Sequence, residues 1–257
     1  MKMPVLFIGH GSPINIVEDN SYTRSLAELG NTLPKPEAIV VVSAHWQTRQ
    51  TYITAAKMPP TIYDFYGFSE ELYQIGYPCP GSPEIASLVQ GITKGQVYGD
   101  SQRGIDHAAW AVLKHMYPNA DIPTLEMSLD LRKSPQDHYE MGKKLAPLRQ
   151  EGVLIVGSGN IVHNLARSDF SRLYGNETYP WAAENDKLVA EALMSRDHER
   201  LIHYENLPYA AMAVPTNEHY LPMLYAIALQ EETDHLKFTC TDMQNASISM
   251  RSFIIGA

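Results

Sequence analysis

Short unbroken apolar runs alternate along this chain with longer stretches of helical spacing. Val5–Ile8, Ala38–Ser43, Tyr52–Ala55, Pro123–Ser128 and Val153–Val156 are aliphatic or β-branched and read as strands, with two more at Leu236–Cys240 and Ser247–Ile254. Between them, Ser134–Arg149 reads as a helix with Ser134 as its N-cap and Gly152 near its end. Asp106–Tyr117 puts Trp110, Val112, Leu113, Met116 and Tyr117 on an apolar side, and Tyr179–Met194 and Pro222–Leu229 are also helical. The alternation predicts an α/β fold: a single domain over residues 1–257 with a central mixed, mostly parallel sheet flanked by helices, the last two strands forming an antiparallel edge. The segment Lys57–Pro83 is long and rich in Pro, Gly and Tyr. A loop of that length inside a compact domain is usually functional.

Composition narrows the function classes. The chain has 257 residues, 44% hydrophobic and 19% charged, which is ordinary for a globular protein with a sizeable core. Twenty Lys and Arg against 29 Asp and Glu give a net charge of −9, which argues against nucleic-acid and anionic-membrane partners. No apolar run approaches the roughly 18–20 residues of a membrane span. The first apolar run is too short for a signal peptide, so a cytoplasmic protein is expected. With only Cys79 and Cys240, neither a disulfide framework nor a CxxC zinc site is expected. Ten histidines stand out. A metal here would be held by imidazoles and carboxylates.

Several histidines leave the ends of strands. Val5–Ile8 runs into Gly9-His10-Gly11-Ser12-Pro13, Ile39–Val42 into Ser43-Ala44-His45-Trp46, and Val153–Val156 into Gly157-Ser158-Gly159-Asn160 and then His163. Ligands of open α/β sheets bind in the crevice beyond the carboxyl ends of the strands, where these three segments can converge. The glycines beside His10 allow a sharp turn and close approach to a ligand. His219 precedes Pro222 at a loop-to-helix junction, and His107 follows Asp106, a plausible N-cap. His115, His138, His198, His203 and His235 lie in polar contexts and read as solvated surface residues. Spacing alone leads to a metal site or an acid–base site and does not choose the metal or the reaction.

These residues carry a family pattern. The blocks Gly9–Pro13, Val42–Trp46, Pro60–Phe68, Tyr77–Gly81, Gly104–Trp110, Ser158–Asn164 and Pro215–Pro222 span nearly the whole chain in order. The sequence resembles the extradiol 4,5-DOPA dioxygenase family, within the LigB-type class III extradiol ring-cleavage dioxygenases. The resemblance implies a LigB-like fold and a non-haem Fe(II) enzyme that opens a catechol ring beside its two hydroxyls, inserting both atoms of O₂. By resemblance His10, His45 and His219 are the metal ligands, with His163 as a possible fourth, and His107 and His163 are the catalytic pair. The chain departs from the family at Tyr63, where His is common, and at Tyr66 and Ala109, where smaller residues are common. These departures bear on substrate choice.

Extradiol chemistry needs a metal with open positions for a bidentate catecholate and O₂, and three protein ligands leave that room. Three neutral imidazoles keep the site at +2, which favours a catecholate; zinc also suits such a set and is a competing occupant of purified protein. A neutral histidine can take the catechol proton, the role given to His107. A second can donate a proton as the O–O bond breaks, the role given to His163; on sequence alone the two roles are interchangeable. Tyr63, Phe65, Tyr66 and Phe68 are candidate stacking contacts for the substrate ring. The expected partners are a small catechol and O₂, for a monomer or small homo-oligomer. A zinc hydrolase on the same histidines and a non-catalytic binding protein of this fold are the alternatives.

Overall fold

The apolar runs become strands of one eight-stranded sheet in the computed structural model, which describes residues 2–171, 173–175 and 177–256. The strands are β1 (Val5–Gly9), β2 (Ala38–Thr48), β3 (Thr51–Thr54), β4 (Val97–Asp100), β5 (Thr124–Asp130), β6 (Val153–Gly159), β7 (Leu236–Cys240), β8 (Met243–Gln244), β9 (Ile248–Ser249) and β10 (Ser252–Ile255). Their order is β4-β3-β5-β2-β6-β1-β10-β7, with β8 and β9 as a separate ribbon. The central strands β5, β2, β6 and β1 are parallel, whereas β3 runs antiparallel to β5, and β10 and β7 add the expected antiparallel edge.

Eight helices flank the sheet: α1 (Ser21–Thr32), α2 (Pro83–Ile92), α3 (His107–Met116), α4 (Pro135–Lys144), α5 (Pro180–Ser195), α6 (His198–Ile202), α7 (Ala210–Ala213) and α8 (Leu221–Ile227), among the described residues. Alternate residues of each central strand feed two cores. Val5, Phe7, Val40, Val42 and Ile155 pack with α2 and α4–α8, while Leu6, Ile8, Ile39, Val41 and Val156 pack with α1, α3 and the loop that holds Phe65, Leu72 and Tyr77. Both faces are covered, so β1 and the first half of β2 are apolar throughout, whereas β5 alternates Leu125, Met127 and Leu129 with the buried polar Thr124, Glu126, Ser128 and Asp130. Among the described residues no helix is long and apolar enough to cross a membrane.

The structure differs from the sequence reading at identifiable places. Helix α1 was not expected because its cap is an Asn20–Thr23 exchange without the usual Glu or Gln, and its composition is weakly apolar. Helix α2 starts at Pro83, behind the Ser82 cap, where the long loop was expected to end. Strand β4 is a short edge with Gly99 inside it. The expected helix Ser134–Arg149 stops at Lys144 and continues as a 3-10 turn, because Pro147 lacks an N–H and its ring crowds the carbonyl four residues earlier. The expected strand Ser247–Ile254 is two pieces, broken at Met250-Arg251 where Arg251 turns to pair with Asp186. His138 is a correction: it is buried between α4 and α8, its Nδ1 3.0 Å from the Tyr225 hydroxyl. Polar neighbours in sequence disguised a position on the apolar face shared with Met141 and Gly142. His115 and His198 are half-buried and hydrogen-bonded, whereas His203 and His235 are exposed as expected.

The N-terminal segment is tied down beside a buried ion pair between Arg149 and Asp234. Arg149, 1% exposed, donates to Met3 O at 2.8 Å, Leu229 O at 2.7 Å and Asp234 Oδ2 at 2.6 Å, and Lys2 Nζ lies 2.9 Å from Asp234 Oδ1. Burial would raise the Asp234 carboxyl, but hydrogen bonds from Arg149 and Lys2 hold it well below the usual carboxylate range. Such a group contributes stability above its unfolded pKa near 4 and loses it as pH falls toward the folded value. Asp234→Asn is expected to cost about 3 kcal/mol at pH 7, since it leaves a buried guanidinium without its near counter-charge. Urea denaturation of both proteins at pH 7 and pH 3 checks this. The gap should shrink at pH 3; an equal gap at both would contradict it.

Candidate metal centre and catalytic site

Three histidines converge at the carboxyl ends of the central strands. His10 follows β1, anchored by its N–H donating to Gly159 O at 3.1 Å. His45 lies inside β2, which is longer than expected. The β2–β5 register shifts between Val42 and Gln47, and this bulge turns the side chain of His45 into the crevice. His219 lies two residues before α8, and its carbonyl accepts from Asn160 N–H at 2.8 Å. A Cβ on Gly159 would strike that carbonyl, so glycine is what lets the His219 segment lie against β6. Gly11 has φ +62°, which makes the turn after His10, and a Cβ there would strike the side chains of Gln244 and Met250.

The rings of His10, His45 and His219 form a near-equilateral triangle, with centroids 5.0, 5.3 and 5.1 Å apart. One ring nitrogen from each lies within 4.8 Å of the others. Each Nδ1 already has a partner. His10 Nδ1 is 3.1 Å from Ser158 Oγ, whose own proton goes to Ala108 O at 2.5 Å, so the imidazole is the donor. His45 Nδ1 is 2.9 Å from Asp64 Oδ2, and His219 Nδ1 is 3.1 Å from Glu218 Oε1. With Nδ1–H donated outward, Nε2 keeps its lone pair, the form that binds metals.

His10 Nε2 and His45 Nε2 are 3.2 Å apart. Two lone pairs facing each other at that distance call for a cation between them. Nitrogens about 2.1 Å from one metal and separated by this distance subtend roughly 100°, within the range of metal–imidazole geometry. The residues therefore fit a metal. Burial, reinforced by the neighbouring histidines, pushes the pKa values of His10 and His219 well down, so both are neutral and ready to ligate. At His45 burial also lowers the pKa, but the hydrogen bond to Asp64 and nearby carboxylates outweigh it and the net direction is up.

Asp64 is the residue that the sequence reading left without a role. Its Oδ1 accepts from the His107 backbone N–H at 3.0 Å and from His107 Nδ1 at 2.9 Å, while Oδ2 serves His45. Burial alone would raise its carboxyl; the hydrogen bonds from His107 and His45 hold it far below the ordinary range, so it is ionised. A carboxylate between two aromatics in a Pro- and Tyr-rich loop was the available signal. His107 opens α3 behind its Asp106 cap, as expected. Asp106 also accepts from Ser43 Oγ and Arg103, and Glu126 accepts the Asp106 N–H at 2.7 Å. Burial and the adjacent Asp106 push the Glu126 carboxyl well up. This buried group braces the strand of His45 against the helix of His107.

His163 lies flat on His219, centroids 3.5 Å apart and planes 12° from parallel. It groups with Glu218 and His219 rather than with His10 and His45. Burial lowers its pKa to about 4. All five histidines line one cavity of about 320 Å³, together with Asp64, Phe65, Tyr66 and Phe68. Tyr63 is not among the lining residues: its hydroxyl donates to Ile75 O at 3.1 Å and its ring packs on Trp110 and Tyr73. Tyr63 stays 37% exposed, on the outer side of the aromatic cluster that holds Phe65, Tyr73 and Trp110.

Residues 5–250 match the family described as the catalytic LigB subunit of aromatic ring-opening dioxygenase. The chain is similar to the 4,5-DOPA dioxygenase extradiol of Escherichia coli (strain K12), 45% identical over 99% of this chain and 95% of that protein. It is 36% identical to the protein of the same name from Beta vulgaris, over 96% of this chain and 94% of the relative. A crystal structure of an uncharacterized protein from Escherichia coli K12 superposes with a TM-score of 0.86 at 41% identity, over 99% of this chain and 100% of that one. The histidine triangle, the strand-end crevice and these matches agree: the chain belongs to the LigB family of aromatic ring-opening dioxygenases and is an extradiol ring-cleavage dioxygenase.

Proposed function

We propose that this chain, as one catalytic domain, opens catechols beside their two hydroxyls with Fe(II) held by His10, His45 and His219. DOPA, named in its relatives, is taken as a member of the substrate class. When bound, Fe(II) supplies coordination positions for the catechol oxygens and O₂ and the electrons that activate O₂. Zinc suits the same three imidazoles, and its presence in purified protein would reflect metal availability and affinity. A cytoplasmic setting fits the two cysteines, both free and buried.

The observation that carries the proposal is Asp64, shared by His45 and His107. It orients a ligand and a base from one carboxylate. With its Nδ1–H donated to Asp64, His107 keeps a free Nε2 lone pair. Burial lowers its pKa, with the nearby His45 reinforcing that and Asp64 opposing it, so the ring is neutral and able to accept a catechol proton. The imidazolium so formed is stabilised by the adjacent carboxylate, the arrangement by which an aspartate supports a catalytic histidine elsewhere. His163, neutral and at the cavity wall, acts as proton donor to oxygen only after taking up a proton, and the catechol protons released on binding are the source for it. Because it stacks on His219 and does not group with His10 and His45, its role at that centre is assigned to proton transfer ahead of ligation.

Three outcomes test these roles in protein reconstituted anaerobically with Fe(II) and assayed for O₂ uptake with catechols. His107→Ala and His163→Ala should each lower kcat about 10²–10⁴-fold with the fold intact, and higher pH should partly rescue His107→Ala. Near-normal rates in fully loaded variants would remove both assignments. Asp64→Asn should lower metal affinity about 10–100-fold and turnover together, since one carboxamide cannot accept from both Nδ1–H groups. Loss of turnover with unchanged metal affinity would show that Asp64 does not support His45. Ester hydrolysis by the zinc form without catechol-dependent O₂ uptake would favour the hydrolase alternative instead.

A further inference from the structure

Three groups of side chains at the site bring ligand atoms within 4.8 Å of one another among the described residues. The first is the triangle of His10, His45 and His219. The second, His45, Asp64 and His107, is closed by its own hydrogen bonds: Asp64 Oδ1 accepts from His107 Nδ1 at 2.9 Å, and Oδ2 lies 2.9 Å from His45 Nδ1. The third, His163, Glu218 and His219, is open. Glu218 Oε1 accepts from Thr216 Oγ1 at 3.0 Å and from His219 Nδ1 at 3.1 Å, while Oε2 has no hydrogen-bond partner among the described residues. Neither ring nitrogen of His163 has one there either. The backbone beneath this group is fixed. The His163 N–H donates to Ala213 O at 2.9 Å and Asn164 Nδ2 to Met212 O at 2.7 Å, which holds the His163 ring where it stacks on His219. The Glu218 side chain is 18% exposed, so its open oxygen has room to turn. Bonds of about 2.0–2.2 Å let one ion bridge ligand atoms roughly 4 Å apart, a span that a small rotation of this carboxylate meets.

We propose that His163 and Glu218 Oε2 hold a second divalent cation, of the zinc class, beside the first centre, with water completing its coordination. His219 keeps its Nδ1–H on Glu218 Oε1, so its other nitrogen stays with the first centre and the two oxygens of Glu218 serve one metal each. One imidazole and one carboxylate are ligands that zinc accepts readily. With two protein ligands, the second ion is held more weakly than an ion on three imidazoles. It also takes up the lone pair of His163. Zinc bound there therefore stops His163 from accepting and passing on a proton, and it inhibits without displacing the iron. The site stands on the geometry; the inhibition rests on the proton-transfer role given to His163 above.

The test titrates metal-free protein with Zn(II) by calorimetry. Two binding events per chain are expected, the second weaker. His163→Ala and Glu218→Gln should each lose the second event and keep the first, which also reports that the variants are folded; the carboxamide oxygen in Glu218→Gln still accepts from His219. Zinc-soaked crystals should show a second anomalous peak about 2.0–2.2 Å from a His163 nitrogen and from Glu218 Oε2. A single event in the native protein, a second event that survives both variants, or no second peak at this place overturns the inference. If a variant loses both events, the peak in the native protein decides. In Fe(II)-loaded protein, excess Zn(II) should abolish catechol-dependent O₂ uptake while the bound iron count stays constant. Iron lost in step with activity overturns the inhibitory role. If no catechol is opened at all, the functional reading fails, and the zinc titration still decides whether the second site exists.

Discussion

Each of the three triangle histidines has its Nδ1 against an acceptor outside the centre, and His10 and His45 turn their Nε2 atoms toward each other at 3.2 Å. Ser158, Asp64 and Glu218 are the three acceptors. Without them the imidazoles would be free to rotate or to take the other tautomer, and the burial of so many polar rings would be unpaid. With them, the arrangement is unfavourable only in one respect, the mutual repulsion of the lone pairs, and a cation removes it. The hydrogen bonds thus hold the three imidazoles in an arrangement that fits a metal, with outer acceptors of the kind that orient metal-binding histidines.

The fold supplies the acceptors from distant parts of the chain. Ser158 comes from the end of β6, next to β1 and so next to His10. Asp64 comes from the long loop, which packs its aromatics over α3 and one face of the sheet. Glu218 comes from the segment that can lie against β6 because Gly157 and Gly159 have no side chains in its way. Parallel strands end together at one edge of the sheet, so three separate strand–loop junctions deliver their residues to one crevice. The bulge in β2 completes the set by turning His45 inward where a regular strand would have kept it in register with β5.

Much of this was legible in the sequence. The central strands, the helices from Asp106 and Tyr179, the Asp106 cap and the convergence of the His10, His45 and His163 segments follow from apolar runs and turn residues, and the family resemblance adds His107 and His219 to the same site. What escaped depends on contacts between distant residues. Nothing near Asp64 in sequence announces that it will meet both β2 and α3. Nothing near Tyr63 and Tyr66 says which ring will pack on Trp110 and Tyr73 and which will line the cavity. His138 looked solvated because its sequence neighbours are, although a helix face reaches the core through a polar stretch. The weakly apolar α1 and the edge strand β4 are stabilised by what they pack against more than by their own propensities.

The most direct measurement is an anaerobic crystal structure of the Fe(II)-loaded protein. The account predicts one iron bound by the Nε2 atoms of His10, His45 and His219 at about 2.0–2.2 Å, the usual metal–imidazole range. Asp64 and Glu218 should stay outside the coordination sphere, still accepting from His45 and His219. A carboxylate oxygen of either residue on the iron, or iron held without one of the three histidines, would contradict it.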